Sequence, residues 1–174
     1  MKLSIRPAKT SDIPAITRIY AHAVEHGTAS FELEPPTEAE MARRMADLTG
    51  KGFPYIVAEM EGALAGYAYV GPFRTRPAYR FTVENSVYVA QNMHRRGVGR
   101  TLLAALIVAS EAAGHRQMVA VIGDSKKQAA SIRLHAAAGF NHIGILPDTG
   151  FKHGRWLDTV LMQRAIGDGG KTLP

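Results

Sequence analysis

The hydrophobic patterning of this chain predicts a single α+β domain built on a mixed, largely antiparallel sheet of about seven strands flanked by about four helices. Three observations carry that prediction. Strand-like and helix-like periods are interspersed along the sequence; the strand patterns on either side of Glu61-Gly62 are close enough to fold back as an antiparallel hairpin; and no internal repeat, low-complexity tract or linker divides the 174 residues.

The elements follow in order. Leu3, Ile5 and Pro7 alternate with polar neighbours as a first strand does. Thr10-Ser11-Asp12 offers caps for a helix with Ile13, Ile16, Ile19, Tyr20 and Ala23 on one face, and Gly27 stops it. Residues 26 to 36 read as a loop containing Phe31. Thr37 with Glu40 three residues on forms a capping-box pattern for a helix to about residue 48, ended by Gly50 and Gly52. The hairpin strands occupy residues 55–60 and 64–70, and a loop rich in Pro and Arg, residues 72–80, leads to a strand over residues 81–89. A helix over residues 99–113 places Leu102, Leu106, Ala109 and Ala113 on one stripe and closes at Gly114. Residues 118–122 form a buried-type strand, and residues 128–138 a helix that Ser125 and Gln128 would cap and Gly139 would stop. Two last strands cover residues 141–146 and about 155–163. The Gly-rich residues 167–174 lack periodicity and read as a frayed tail without chemistry, leaving 1–166 as the domain.

Composition excludes several functions. With 46% hydrophobic and 21% charged residues the chain is ordinary globular material. No apolar run approaches the ~18 to 20 residues that cross a bilayer, and the N-terminus lacks a signal-peptide core, so no membrane association and a cytoplasmic location are expected. The absence of cysteine excludes disulfides, a thiolate nucleophile and thiolate metal ligation. His153 and Asp158 lack a third ligand nearby, so no metal is expected. The net charge of +6 is dispersed and no aromatics interleave the basic residues, which argues against a nucleic-acid partner.

The most informative stretch is Glu84-Asn85-Ser86-Val87-Tyr88-Val89, followed by Met93-His94-Arg95-Arg96-Gly97-Val98-Gly99-Arg100-Thr101. It has the form strand, glycine loop, helix. Glycines let an anion approach the backbone, and a helix start supplies unpaired N–H groups and the positive end of its dipole. Arg95, Arg96 and Arg100 add charge around the same point. A pyrophosphate suits this arrangement, and a tight turn with solvated arginines is the other reading of the same residues. Neither a Walker loop nor a complete dinucleotide fingerprint is present.

These residues resemble motif A of the GCN5-related N-acetyltransferases (GNAT), [QR]-x-x-G-x-[GA], which holds the pyrophosphate of acetyl-coenzyme A. The likeness runs from Ile5-Arg6-Pro7-Ala8 to the helix Ser131-Ile132-Arg133-Leu134-His135 that ends at Gly139-Phe140. Within the superfamily, Gly27-Thr28-Ala29-Ser30-Phe31-Glu32, the strand 82–89 and Gly154-Arg155-Trp156-Leu157-Asp158 are similar to the phosphinothricin and methionine sulfoximine acetyltransferase branch. The resemblance implies a GNAT-type fold, an acetyl-coenzyme A cosubstrate, a small amino acid-like acceptor and a homodimer.

It also implies roles. Glu84 would take the amine proton, where the other reading is a solvent-facing or paired carboxylate. Main-chain groups of Val87, Tyr88 and Val89 would hold the pantetheine arm and thioester carbonyl, with the Val87 N–H at the developing oxyanion. Backbone amides from Arg95 to Thr101, through Arg96, Gly97, Val98, Gly99 and Arg100, would cradle the phosphates. His135 stands where the superfamily often has a tyrosine that protonates the departing thiolate, or it is a packed core histidine. Gln128 and Ser131 would touch the cosubstrate, although the branch usually has asparagine at the Gln128 position, and His94 replaces the Gln or Arg of motif A. Arg74, Thr75 and Arg76, with Glu84, Asn85 and Ser86, would contact the acceptor, Phe31 forming an apolar wall; arginine forks suit an anionic head, and a solvated loop is the alternative. The expected activity is direct N-acetyl transfer to a small amino acid-like amine. Peptide acetylation and non-catalytic acyl-coenzyme A sensing are its rivals.

Overall fold

The computed structural model describes residues 3–174. Met1 and Lys2, which the expected domain includes, lie outside the described residues. Strands β1 (Leu3–Pro7), β2 (Tyr55–Met60), β3 (Ala63–Pro72), β4 (Thr82–Val89), β5 (Gln117–Gly123), β6 (Asn141–Lys152) and β7 (Arg155–Ala165) form one seven-stranded sheet. Their order is β1-β2-β3-β4-β5-β7-β6, and every neighbouring pair is antiparallel except β4 and β5. This is the mixed, largely antiparallel sheet that the sequence predicts.

Four helices cover the sheet: α1 (Ile13–His26), α2 (Glu38–Gly50), α3 (Val98–Ala112) and α4 (Ala129–Ala137). On one face, Ile13, Ile16, Tyr20 and Val24 of α1 and Met41 and Met45 of α2 pack on Tyr55, Val57 and Tyr67. On the other face, Val98, Leu102, Leu103 and Leu106 of α3 bury against Ala68, Val70, Val83, Met118 and Met162, with Ile132 and Leu134 of α4 at the margin. Deleting one such fully buried leucine to alanine costs about 2 to 5 kcal/mol, enough to unsettle a domain of ordinary stability.

One strand pair positions everything that matters for function. β3 pairs with β4 from Gly66↔Val89 to Pro72↔Val83, whereas β5 pairs with β4 only from Thr82↔Gln117 to Asn85↔Ala120. The Ala90 N–H donates to Ala65 O at 2.9 Å and the Phe73 N–H to Thr82 O at 3.3 Å. Antiparallel ladders alternate, so even-numbered residues of β4 aim their main-chain groups at β3 and odd-numbered ones at β5. Val87 and Val89 therefore aim theirs into a gap where β5 has diverged.

Several local expectations change in the folded chain. Asp12 does not cap α1: the residues before the helix form a 3-10 turn, and the Asp12 carboxylate accepts from the Lys9 N–H and, at 2.7 and 2.8 Å, from both Arg6 terminal nitrogens. Thr37 does cap α2, accepting from the Glu40 N–H at 3.2 Å, but the Glu40 carboxylate turns outward to Arg43 and Arg44, so the box is half made. Ser125 does not cap α4; its N–H and hydroxyl both go to Asp158. β6 continues to Lys152 through a register shift between Leu146 and Gly150, with Asp148 at φ 53°. Residues 167–174, where composition predicts fraying, contact the body: Arg116 donates to Thr172 Oγ1 at 3.0 Å and Leu173 O at 2.9 Å.

Candidate active site

The divergence of β4 from β5 opens a cavity of about 310 Å³. Residues 84–88 line one side and residues 120–123 the other, with Phe31, Gln128, Ser131 and His135 closing it. The sequence-predicted groups Glu84, Asn85, Ser86, Val87, Tyr88, Phe31, Gln128, Ser131 and His135 thus share one space.

Glu84 is half-buried in this cavity and has no ion pair or hydrogen bond among the described residues. Burial alone raises its pKa above the ordinary carboxylate value. An unpaired, partly desolvated carboxylate is a better base than a solvated one, and structural ion pairing does not account for its presence here. Across the ladder, Ser86 faces Tyr69. Tyr20 closes the same side, its hydroxyl 2.9 Å from Ser30 Oγ and donating to Glu32 at 2.9 Å, with its pKa pushed up to about 12 by burial.

The glycine loop sits at the open end of β4. Gly97 adopts the left-handed conformation at φ 81° and caps α3. The first intrahelical bond is Thr101 N–H to Gly97 O at 3.1 Å, so the N–H groups of Val98, Gly99 and Arg100 have no helical acceptor. A Cβ on Gly99 would meet only Leu134 and Val89, each at 3.5 Å, an ordinary contact. Internal packing therefore does not require glycine there, whereas close approach of an anion does. The residues present fit a pyrophosphate.

The geometry corrects three expectations and places a fourth group, the arginine loop, outside the cavity. Thr101 offers the loop nothing, because its N–H and its hydroxyl, at 3.2 Å, both go to Gly97 O. The Arg96 guanidinium is engaged by Glu61 at 3.2 Å and Met93 Sδ at 3.1 Å, while Arg95 and Arg100 are exposed. Arg74, Thr75 and Arg76 do not line the cavity; they lie exposed on the β3–β4 loop, the Arg74 guanidinium stacked 5.3 Å from the Phe73 ring and 5.6 Å from that of Tyr79. His135 is buried with both ring nitrogens engaged. Nδ1 lies 2.8 Å from Ser131 O and so carries the proton, leaving Nε2 to accept from Asn85 Nδ2 at 2.8 Å. Burial also lowers its pKa. A neutral imidazole whose one proton is held by a carbonyl is not placed to protonate a thiolate; it orients the Asn85 amide instead.

Sequence reasoning missed three features. His94, read as a departure from the motif, has Nε2 3.1 Å from Val89 O and closes the carbonyl next to the loop. Tyr20 and Tyr69 form the wall opposite β5, and only the strand register, which the sequence does not display, places Tyr69 beside Ser86. Gly123 and Gly150 seat Phe31, although a glycine at a strand end was the available signal for the first of them.

Comparison with known proteins agrees with this geometry. The profile of the acetyltransferase (GNAT) domain matches residues 5–161. The phosphinothricin N-acetyltransferase of Alcaligenes faecalis is 53% identical over 171 residues, which cover 98% of this chain and 86% of that protein. The L-methionine sulfoximine/L-methionine sulfone acetyltransferase of Salmonella typhimurium is 40% identical over 169 residues, with 95% and 96% of the two chains covered. A crystal structure of a GNAT superfamily phosphinothricin acetyltransferase from Sinorhizobium meliloti in complex with AcCoA superposes with a TM-score of 0.96 at 48% identity, covering 100% of this chain and 94% of that one. With a divergent β4–β5 pair, a glycine-led helix start and an acetyltransferase profile over most of its length, this chain belongs to the acetyltransferase (GNAT) family.

Proposed function

We propose that the protein is an acetyl-coenzyme A-dependent N-acetyltransferase that acetylates the amine of a small amino acid-like acceptor of the phosphinothricin or methionine sulfoximine and sulfone type. One observation carries the reading: the unpaired Glu84 carboxylate and the outward-facing main chain of Val87 open onto the same cavity.

The chemistry divides among these residues. The amides of Val98, Gly99 and Arg100 hold the pyrophosphate, with Arg95 and Arg100 supplying charge, and the free edge of β4 at Val87 and Val89 holds the pantetheine arm, the main chain of Tyr88 between them being turned to β3. Bound there, the cosubstrate supplies an acyl group on a good leaving thiolate. Glu84 takes a proton from the acceptor ammonium, directly or through one water, and frees the nitrogen lone pair for attack. The Val87 N–H donates to the carbonyl oxygen as charge develops on it. With His135 neutral and committed to Ser131 and Asn85, the proton for the thiolate comes from the nitrogen that has just formed the amide, made acidic by the attack. Nitrogen gains an acyl group and loses two protons in all, one to Glu84 and one to sulfur.

Arg74 and Arg76 serve the acceptor's anionic head from the rim. The loop they occupy joins β3 to β4 immediately before Glu84, and no acidic side chain pairs with either arginine among the described residues. A homodimer would cover the apolar side chains left exposed on the edge strand β6 and its neighbour β7, Ile143, Ile145, Phe151 and Trp156 among them. Residues 1–166 are the catalytic unit in this reading, with a cytoplasmic location and no nucleic-acid or membrane partner.

A thiol-release assay with acetyl-coenzyme A over a panel of amino acids, methionine sulfone and phosphinothricin included, tests the proposal. Turnover with the small polar acceptors and none with peptides supports it. Cosubstrate binding without turnover on any amine overturns it.

A further inference from the structure

Phe31 lines the cavity from the loop between α1 and α2, and the tip of its ring rests on two glycines from separate strands, Gly123 at the end of β5 and Gly150 in β6. A Cβ on Gly150 would lie 2.3 Å from Phe31 Cε2 and 2.5 Å from Cδ2. One on Gly123 would lie 2.3 Å from Cε1, 2.8 Å from Cζ and 2.9 Å from Thr28 O. Real Cβ atoms do not approach so closely. Neither glycine has a positive φ, so the backbone does not require glycine at these positions; the ring does.

The loop that carries Phe31 is held from several sides and has little room to lift. Lys152 is buried, its Nζ donating to Ser30 O at 2.8 Å. His153 Nε2 lies 3.1 Å from Gly27 O, and the Tyr20 and Ser30 hydroxyls are 2.9 Å apart. A methyl group under the ring would therefore displace the ring toward the cavity it lines. Gly150 is the cleaner probe of the two, because the three atoms nearest its Cβ all belong to Phe31, whereas the Gly123 Cβ would also meet Thr28 O.

We infer that Gly150, together with Gly123, is a specificity-determining residue: by letting the Phe31 ring sink against the sheet, the glycine pair sets the depth of the acceptor pocket and hence the longest amino-acid side chain it accepts. The inference rests on the acceptor reading given above. A pocket discriminates one methylene by roughly 10- to 200-fold, so a shift of the ring by a methyl radius should register across an acceptor series.

The experiment measures kcat/KM for S-methylcysteine sulfone, methionine sulfone and ethionine sulfone with the wild type, Gly150→Ala, Phe31→Leu, and Gly150→Ala combined with Phe31→Leu. Acetyl-coenzyme A-induced thermal shifts check fold and cosubstrate binding. In Gly150→Ala the loss should grow with acceptor length, about tenfold or more between the ends of the series and mainly in KM, and the combined variant should restore the longer acceptors. Phe31→Leu alone should shift preference toward the longest acceptor, and this arm decides the matter if Gly150→Ala does not fold. A length-independent loss, no loss in Gly150→Ala, or an unchanged preference in Phe31→Leu overturns the socket while wild-type turnover leaves the acetyltransferase reading intact. No wild-type turnover on any acceptor brings down both.

Discussion

Replacing Glu84 by glutamine should separate catalysis from stability in this protein. The substitution keeps the volume of a half-buried side chain and removes only its charge and basicity. General base catalysis is worth about 100- to 10,000-fold, so turnover should fall by about 3 to 5 kcal/mol of transition-state stabilisation. The affinity for acetyl-coenzyme A should change little, because in the proposed reading the cosubstrate is held by main-chain groups rather than by the Glu84 carboxylate. Stability should move the other way. Burial raises the Glu84 pKa in the folded state, so between its unfolded and folded values the native chain binds more protons, and wild-type stability falls as pH rises through the folded value. Glutamine removes that decline, so at neutral pH the apo variant should melt at or above the wild-type temperature. The assay is thiol release against pH, with melting curves alongside. Wild-type activity should rise on an acid limb set by Glu84, and the variant should lack that limb and recover partly at high pH, where more acceptor amine is free. Wild-type turnover in a folded Glu84→Gln variant, or an acid limb that persists, would refute the assignment of the base.

Three further outcomes follow from the site. Gly99→Val should abolish the thermal shift produced by acetyl-coenzyme A, which for a ligand at ~100 times its Kd amounts to about 2.7 kcal/mol, and an unchanged shift would reduce the loop to a turn. Arg74→Ala and Arg76→Ala should each raise KM about tenfold or more for methionine sulfone and hardly at all for a matching amine without the carboxylate; equal losses on both would point to loop folding. His135→Leu should cost about 1 to 3 kcal/mol of stability by leaving the Asn85 amide unpaired, yet keep the alkaline limb of the pH–rate profile, whose disappearance would restore His135 as the acid. Because burial lowers the His135 pKa, the unfolded chain binds the extra proton first, and wild-type stability should decline as pH falls below the ordinary histidine value of about 6.5, a slope that His135→Leu flattens.

The elements were legible wherever the pattern is local. The apolar period of α3, the Glu61-Gly62 hairpin and the glycine loop all express constraints within a few residues, and the chain obeys them. Long-range pairing defeated the reading elsewhere. Pro147, Asp148 and Gly150 carry turn signals, yet pairing with β7 pulls them into a bulged strand. Ser125 looks like a cap until Asp158, thirty-three residues on, claims both of its donors. His135 shows the same limit within the site: its neighbours in sequence cannot reveal that Asn85, fifty residues away, fills its free nitrogen. The resemblance named residues that the fold gathers around one cavity, and only the fold could assign a tautomer.

The divergence of β4 and β5 has a consequence for how the molecule opens. The backbone ladder between the β1–β4 and β5–β7 halves of the sheet consists of the pairs from Thr82↔Gln117 to Asn85↔Ala120, while every other neighbouring pair is joined along five or more positions. Cooperative units in a protein tend to divide where few backbone bonds cross. Amide exchange should therefore resolve two blocks with their boundary between β4 and β5, the Val87 and Val89 amides exchanging fastest within β4. A ligand laid along that edge would act as a missing stretch of strand, binding the two blocks into one, so that occupancy is read out in exchange rates far from the atoms it touches.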